Sequence, residues 1–402
     1  MYKKNFPLFY HYDLQQKKMV YLDSASTTQK PQVVIDALMD YYTHYTATPH
    51  RTLYRMGEQV SEKYQSVRNK VAQFINAADA KEIIFTKGTT EAINFVASTW
   101  AMEYVKEGDE IVITELEHSS NAVPWQIVAQ KKNARLIIIP VQEDGVIDQT
   151  IISHYITTRT KLVAVTHVSN ALGLGNNALP VIVKIARAVG AKILIDGAQA
   201  VGYQKVDVQA LDADWYVFSG HKMLGPTGVG VLYMKQSLFP FVKPYQYGGG
   251  AVVDFLNNHV TLAQAPDCYE AGTPPVAQVL GLGATIDFLQ SIGMDTVHTV
   301  VNELVKKCVK QLQTLPRIRI VGNVDRIMQE AHLVSFTIEG MHAHDVGAFL
   351  DSKGICVRTG VHCAHLIAQK MGYNATVRVS FHVYNDEQDV EYLIACLREL
   401  FE

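Results

Sequence analysis

The chain has 402 residues, of which 48% are hydrophobic and 19% are charged, and its formal net charge is −3. This length is typical of two or three domains, and this composition is typical of a folded protein with a large buried core. The basic residues are scattered along the chain, which argues against nucleic acid or membrane partners. No apolar run reaches the roughly 20 residues that a membrane span needs, so we expect a cytoplasmic protein.

The cysteines are odd in number, widely spaced and free of any CxxC pair, which fits neither a disulfide framework nor a zinc ribbon. They are Cys268, Cys308, Cys356, Cys363 and Cys396. A cysteine with a function in this chain therefore acts as a reduced thiol.

Short β-branched segments alternate with helical patterns between about residues 80 and 235, which predicts βαβ units and a mostly parallel sheet. The predicted strands are 82–86, 110–116, 135–140, 161–168, 192–196, 215–219 and 229–234. Apolar residues at helical spacing predict one helix over 89–105. The fold class is therefore α/β.

A second unit is predicted after residue 275, where a long helical stretch begins and continues to about residue 315. Strands are expected at 332–339, 355–358 and 376–382, and helices at 344–353 and from 386 to the end. We therefore predict a large domain over 23–287 and a smaller α+β domain over 288–402, with residues 1–22 packed on the smaller one.

Polar residues follow several of the predicted strands, and ligands of open α/β sheets bind at the carboxyl ends of strands. Thr89 lies at a helix start after the first strand, where N–H groups and hydroxyls can hold a phosphate, although an ordinary threonine N-cap explains it equally well. His118 and Asn170 follow the next strands. Each taken alone is also explained as a polar residue in a turn.

Asp196 and Lys222 need a stronger explanation, because Asp196 ends one predicted apolar strand and Lys222 lies three residues after the end of another. A carboxylate there is costly to bury without a cationic partner. Pyridoxal 5'-phosphate (PLP) accounts for both residues, because it needs an amine for its Schiff base and an acid for its ring nitrogen. Ser219 and His221 could add donors to its phosphate.

A dinucleotide site is the competing interpretation, because Gly173-Leu174-Gly175-Asn176-Asn177-Ala178 fits G-x-G-x-x-A and Asp196 lies near the expected acidic position. However, the glycines come several residues after the strand, and Pro180 suits a first helical position. The motif therefore lies in a loop before the helix, and it leaves Lys222 unexplained.

Cys363 lies in a predicted loop with Arg358, His362 and His365 nearby, and nearby cations favour the thiolate. The alternatives are an inert loop thiol and a metal ligand. The other cysteines lie among apolar residues or beside an ordinary turn, and we interpret them as small hydrophobes.

Ten segments together resemble the class V PLP-dependent fold and, within it, the SUF-type (group II) cysteine desulfurases. They are YLDSASTTQKP, FTKGTTEAINFVAS, EHSSNAVPWQ, THVSNALG, ILIDGAQAV, YVFSGHKMLGPTGVGVLY, YGGG, YEAGTPP, VRTGVHCA and VRVSFHVYN. The resemblance covers nearly the whole chain and implies the PLP-dependent transferase fold type I. One departure is His50-Arg51-Thr52-Leu53-Tyr54, which lacks the glycine and second histidine of the family's His-Arg-Gly-x-His stretch.

The resemblance implies a role for each matching residue. Lys222 would carry PLP as a Schiff base and act with Cys363 and His118 in catalysis. Cofactor contacts would come from Asp196 at the pyridinium nitrogen, His118 on the ring, Gln199 at the phenolic oxygen, Thr89, Ser219 and His221 at the phosphate, and Thr273 at the phosphate of a partner subunit. Asn170 and Arg378 would bind the substrate carboxylate, and Arg358 is a further candidate for substrate binding. No metal is implied.

The implied reaction converts L-cysteine to L-alanine and leaves a persulfide on Cys363, which an acceptor protein receives for iron-sulfur cluster assembly. The resembling enzymes are homodimers. A selenocysteine lyase is the main alternative, because the same fold and cysteine serve both reactions. An aminotransferase or a kynureninase-like enzyme is less favoured, because neither needs a thiol on this loop.

Overall fold

The computed structural model describes residues 2–15, 18–49 and 52–402, without the side chain of Asp13. His50 and Arg51 of the divergent segment lie outside the described residues. The strands are β1 Val20–Tyr21, β2 Ile83–Thr86, β3 Glu110–Thr114, β4 Arg135–Ile139, β5 Thr160–Thr166, β6 Lys192–Asp196, β7 Trp215–Ser219, β8 Gly230–Met234, β9 Val252–Leu256, β10 His259–Leu262, β11 Ile318–Ile320, β12 Leu333–Ile338, β13 Ile355–Cys356, β14 Arg358–Gly360 and β15 Thr376–Ser380. The helices are α1 Pro7–Leu14, α2 Gln32–His44, α3 Arg55–Phe74, α4 Thr89–Val96, α5 Met102–Tyr104, α6 Val123–Lys132, α7 Ile152–Tyr155, α8 Leu179–Ala188, α9 Val276–Ile292, α10 Met294–Leu312, α11 Val324–Glu330, α12 Ala343–Ser352, α13 His365–Met371 and α14 Glu387–Glu399.

A seven-stranded sheet forms the larger unit, with the strand order β2-β8-β7-β6-β5-β3-β4. Strands β3 to β7 pair in parallel, whereas β8 runs antiparallel to both β7 and β2. Every residue of β2, β3, β7 and β8 is buried, which explains why these strands are continuous apolar runs rather than alternating ones. The predicted α/β class with a mostly parallel sheet is confirmed.

The smaller unit contains a four-stranded antiparallel sheet in the order β11-β12-β15-β14. The single strand predicted over 355–358 was wrong, because its two halves pair with different partners. Ile355–Cys356 pairs in parallel with Val20–Tyr21, and Arg358–Gly360 pairs with β15. The alternation of residues along a strand does not reveal which strand it pairs with, so the sequence could not predict the break between β13 and β14.

Two predicted helices also differ from the structure. The long stretch after residue 275 is two helices, α9 and α10, bent by 77° at Gly293. Gly293 has φ +85°, a left-handed value that an α-helix excludes and glycine tolerates. The helix predicted over 89–105 contains a π-helical turn at Ala97–Ala101 between α4 and α5. The other predicted elements are found with ends shifted by a few residues.

The N-terminal segment packs on the smaller unit. The Phe6 ring lies 4.9 Å from that of Tyr384 and 6.0 Å from that of Phe288, and the Lys3 amine lies 3.0 Å from the Asp389 carboxylate. The predicted boundary at 287/288 falls inside α9, and buried apolar residues of both units form one continuous cluster. The division into two domains stays a prediction.

No single helix in the described part of the chain is long and apolar enough to cross a membrane, although the bent pair α9 and α10 together reaches that length and composition.

Candidate active site

The carboxyl ends of the parallel strands and a loop of the smaller unit enclose a cavity of about 260 Å³. Of the predicted site residues, all except Thr273 line this one cavity. They are Thr89, His118, Asn170, Asp196, Gln199, Ser219, His221, Lys222, Arg358, Cys363 and Arg378. The residues that follow the strands of the large sheet meet at its edge, as the rule for parallel sheets predicts, whereas Arg358, Cys363 and Arg378 reach the same cavity from the smaller unit.

Asp196 and Lys222 lie at the ends of adjacent parallel strands. Asp196 is the last residue of β6 and is only 4% exposed, and its Oδ1 accepts the N–H of Ala198 at 2.9 Å. Lys222 ends a short 3₁₀ turn that follows β7. Burial raises the pKa of Asp196, and burial lowers the pKa of Lys222 while the Asp196 charge opposes that shift. The lowered pKa of Lys222 favours a neutral amine, which can accept a proton.

Two hydroxyls meet at the N-terminus of α4. The Thr89 Oγ1 lies 2.7 Å from the Ser219 Oγ, which also accepts the N–H of Thr89 at 2.8 Å. Gly230 permits this approach, because a Cβ there would lie 2.4 Å from the Cα of Gly88. His221 lines the same end of the cavity, and burial next to Lys222 lowers its pKa to about 4. The helix terminus and the hydroxyls together suit an anion.

His118 presents a neutral imidazole. Its Nδ1 accepts the N–H of Ser120 at 3.0 Å, so the ring proton lies on Nε2. Burial and, second, the positive charge of Lys222 lower the pKa of His118 to about 4. The ring therefore stays uncharged at neutral pH.

Both the nitrogen and the oxygen of the Gln199 side-chain amide form hydrogen bonds. Its amide donates to the carbonyl of Ala25 at 2.8 Å, and its Oε1 lies 3.0 Å from the Nε2 of His332. One amide hydrogen remains for another acceptor. His332 itself stacks on Tyr203 with 4.0 Å between ring centroids, so the side chain of Gln199 is held from behind.

Arg378 lies in strand β15 of the smaller unit, and its side chain lines the cavity. It is 2% exposed, and its guanidinium donates to the carbonyl of Asn170 at 2.8 Å and to the Ser26 Oγ at 2.9 Å. The Asp23 carboxylate lies 3.3 Å away and offsets part of the cost of burying the charge. The Nε of Arg378 has no partner in the described part of the chain.

Cys363 lies at the mouth of the cavity and is exposed, whereas Cys268, Cys308 and Cys396 are buried. His362 and Cys363 have φ +56° and +55°, left-handed values that are uncommon for residues other than glycine. The carbonyl of His362 accepts the Asn170 amide at 2.6 Å, and the His362 Nε2 lies 2.7 Å from the Thr376 hydroxyl. The loop is therefore tied to both units.

Sequence reasoning missed several residues that line the cavity: Ala25, Ser26, Thr90, Ser120, Thr166, Val168 and Ala198. For most of them, the only signal in the sequence is that their segments resemble the family. The small and hydroxyl residues around Ser26 were the available signal, but nothing local distinguishes them from an ordinary turn.

Thr273 lies away from this cavity. It is exposed and lines a separate pocket with Glu270, Gly250 and Pro274. Glu270 fixes this region, because its carboxylate forms a 2.8 Å ion pair with the buried Arg68 and also accepts the hydroxyl of Tyr64. Thr273 therefore does not line the cavity of its own chain.

The dinucleotide interpretation is not supported by the glycine loop. Gly173 has φ +71°, and a Cβ there would lie 2.9 Å from the side chain of Leu333. Its small size therefore serves packing between the two units rather than the approach of a phosphate. Pro180 lies in the first turn of α8, as predicted. Within the described residues, no group of three or more metal-ligating side chains is found.

PLP fits the side chains of the cavity. Burial raises the pKa of the Asp196 carboxyl, and a protonated pyridine nitrogen beside it would stabilise the charged form. The Thr89 and Ser219 hydroxyls at the start of α4 suit the phosphate. The amine of Lys222 lies in the same cavity for the aldehyde.

Comparison with known proteins decides the family. The sequence pattern of the family "Aminotransferase class-V" matches residues 20–393. The chain belongs to the class-V aminotransferase family. It is 43% identical over 384 residues to a cysteine desulfurase of Salmonella typhimurium, an alignment that covers 95% of this chain and 93% of that protein.

Solved structures of this family agree with the fold of the chain. The apo structure of a cysteine desulfurase from Thermococcus onnurineus matches with a TM-score of 0.93 and 38% identity, and covers 99% of this chain and 96% of that one. The S-sulfonic acid form of the cysteine desulfurase CsdA from Escherichia coli matches with a TM-score of 0.91 and 34% identity, and covers 100% and 97%. The predicted family and fold are confirmed.

Proposed function

We propose that this class-V protein is a PLP-dependent cysteine desulfurase of the SUF type, which converts L-cysteine to L-alanine and holds the extracted sulfur as a persulfide on Cys363. One observation carries the proposal: an amine with a lowered pKa, Lys222, and an exposed thiol, Cys363, line the same cavity. The relatives named cysteine desulfurase, at 34 to 43% identity, support the same reaction.

The cofactor site consists of the residues at the strand ends. Lys222 would hold PLP covalently, Asp196 would pair with its ring nitrogen, and Gln199 would donate its remaining amide hydrogen to the phenolic oxygen. The phosphate would lie against Thr89, Ser219 and His221, with His118 on the ring. PLP, when bound, withdraws electrons from the α-carbon of an attached amino acid.

The other residues bind the substrate and move its protons. Asn170 and Arg378 would bind the carboxylate of cysteine, and Arg358, which lies opposite Arg378 in the pairing of β14 with β15, also lines the cavity. Arg378 is held by Asp23 and Ser26, so its guanidinium is oriented before the substrate arrives. The Lys222 amine, freed when the substrate amine takes its place and with a pKa lowered by burial, would accept the proton of the substrate α-carbon.

Cys363 acts on the sulfur. Its thiolate attacks the substrate sulfur, so a bond forms between the two sulfur atoms and the carbon–sulfur bond of the substrate breaks. The electron pair of the broken bond stays with the carbon fragment, which takes up protons and leaves as alanine. The exposure of Cys363 suits transfer of the outer sulfur to an acceptor protein for iron-sulfur cluster assembly in the cytoplasm.

A homodimer is part of the proposal. Thr273 is exposed and lies in a pocket separate from the cavity of its own chain, which fits a contact with the phosphate of a partner subunit. The sedimentation coefficient of the protein should accordingly be that of a dimer of 44.8 kDa chains.

The test is to incubate the protein, purified with added PLP, with L-cysteine and to measure alanine and sulfide. Cys363→Ala should lose alanine formation and keep its colour, whereas Lys222→Ala should lose alanine formation and the wild-type absorbance. Full alanine formation by Cys363→Ala, or a protein that stays colourless with added PLP, would refute the proposal. The same assay with L-selenocysteine measures the competing lyase reaction, and a far higher rate on selenocysteine would favour that alternative.

A further inference from the structure

The loop that carries Cys363 has a conformation that needs external support. His362 and Cys363 are consecutive residues with φ near +55°, and neither is glycine. Such residues cost free energy and persist only where surrounding contacts hold them. The contacts that hold this loop therefore bear on where the thiol lies.

Two carbonyls of the loop accept hydrogen bonds from the larger unit. The carbonyl of His362 accepts from Asn170, as described above. The carbonyl of Cys363 accepts twice from Ser119, from its backbone N–H at 2.7 Å and from its hydroxyl at 2.9 Å. Ser119 is the residue directly after His118, so one short segment faces the cavity and also holds the nucleophile loop.

The Ser119 hydroxyl also contacts His365. The Ser119 Oγ lies 3.2 Å from the Nδ1 of His365, which begins helix α13. A hydroxyl has a single hydrogen, and here it points to the Cys363 carbonyl, so the Nδ1–H of His365 is the donor to the oxygen. The Ser119 hydroxyl therefore connects the loop on both sides of Ala364.

We propose that Ser119 is a positioning residue for sulfur extraction: its hydroxyl, with its backbone N–H, holds the carbonyl of Cys363 and so keeps the strained loop in the conformation that presents the thiol to the cavity. The inference rests on the proposed role of Cys363. It adds a residue that touches neither the cofactor cluster nor the substrate-binding pair, since Ser119 does not line the cavity.

The test compares three variants of the PLP-loaded enzyme. Ser119→Ala removes the hydroxyl and keeps the backbone donor, and Ser119→Thr keeps both at a partly exposed position. Ser291→Ala is the matched control, because the Ser291 hydroxyl also donates to a backbone carbonyl, that of Phe288 at 2.7 Å, on an exposed helix end far along the chain.

Two readouts are measured on each variant. Hydrogen exchange of a peptide over residues 359–366 reports the loop, whose turn is closed by the bond from the Ala364 N–H to the Val361 carbonyl at 2.9 Å. Steady-state alanine formation reports the chemistry. For Ser119→Ala we expect exchange of this peptide to be about three- to tenfold faster and kcat to fall by about the same factor, as the loss of one hydrogen bond implies, with KM within about twofold.

Ser119→Thr and Ser291→Ala should match the wild type in both readouts. Unchanged exchange in Ser119→Ala, or faster exchange with unchanged kcat, would overturn the positioning role. Loss of the visible cofactor absorbance in Ser119→Ala would also overturn it, because the residue would then act on cofactor binding. Failure of the proposed function is distinguished separately, by alanine formation that persists in Cys363→Ala.

Discussion

Lys222 and Cys363 line the same cavity in opposite environments. Lys222 follows β7, a strand with every residue buried, and burial lowers the pKa of its amine. Cys363 is exposed and lies on a loop with two consecutive left-handed residues. The Lys222 side of the cavity is fixed by the sheet, whereas the loop on the Cys363 side is held by hydrogen bonds from Asn170 and Ser119 of the larger unit.

This difference follows from what each group is proposed to do. A proton acceptor at neutral pH benefits from burial, because burial favours the neutral amine. A thiol that receives sulfur and transfers it to another protein has to remain accessible. The rigid element therefore carries the base, and the exposed loop carries the nucleophile. Substitutions on one side should leave the other side unchanged.

The largest expected effect comes from the buried side. Asp196→Asn keeps the size of the side chain and the bond from Ala198 and removes the negative charge, so we expect alanine formation to fall about 100- to 1,000-fold. Alkylation of Cys363, followed by mass spectrometry, should proceed at the wild-type rate. Activity within tenfold of the wild type would mean that the carboxylate is not needed.

An intermediate effect is expected where the two sides meet. Arg378→Lys keeps the positive charge beside Asp23, but one ammonium cannot reproduce the planar fork that contacts the Asn170 carbonyl and the Ser26 hydroxyl together. The KM for cysteine should rise about tenfold or more, with a smaller change in kcat. Arg319→Lys, in strand β11 away from the cavity, is the control. An unchanged KM would separate Arg378 from substrate binding.

The smallest expected effect is on stability and comes from Lys30, which contacts the residue before Lys222. The Lys30 amine donates to the carbonyl of His221 at 3.2 Å and to that of Thr28, and burial lowers the pKa of Lys30 to about 7. An unfolded lysine titrates near pH 10, so the folded protein loses this proton first and the wild type gains stability as pH rises above 7.

Lys30→Met removes this titration. The melting temperature of the wild type relative to Lys30→Met should therefore rise between pH 7 and pH 9, by about 1 to 3 °C. Lys205→Met is the control, since the exposed Lys205 pairs with Asp295 and should add no such slope. A temperature difference that is constant with pH would contradict burial of the Lys30 charge.

Much of the site could be predicted from the sequence because it depends on local order. Asp196 ends one apolar strand and Lys222 lies in the turn after another, and the carboxyl ends of parallel strands share one edge. The contacts from the smaller unit could not be predicted in this way. The pairing of Arg378 with Asp23 joins residues 355 positions apart, and no local pattern encodes it.

The sequence by itself determined the strand ends, the reactive amine and thiol, and the family, because each is expressed by residue type and short-range spacing. Only the tertiary structure decided how the thiol is held. The left-handed backbone at His362 and Cys363 is held by hydrogen bonds from Asn170 and Ser119, which depend on how the two units pack. Their physical basis is long-range contact, which compensates local strain that the sequence alone does not reveal.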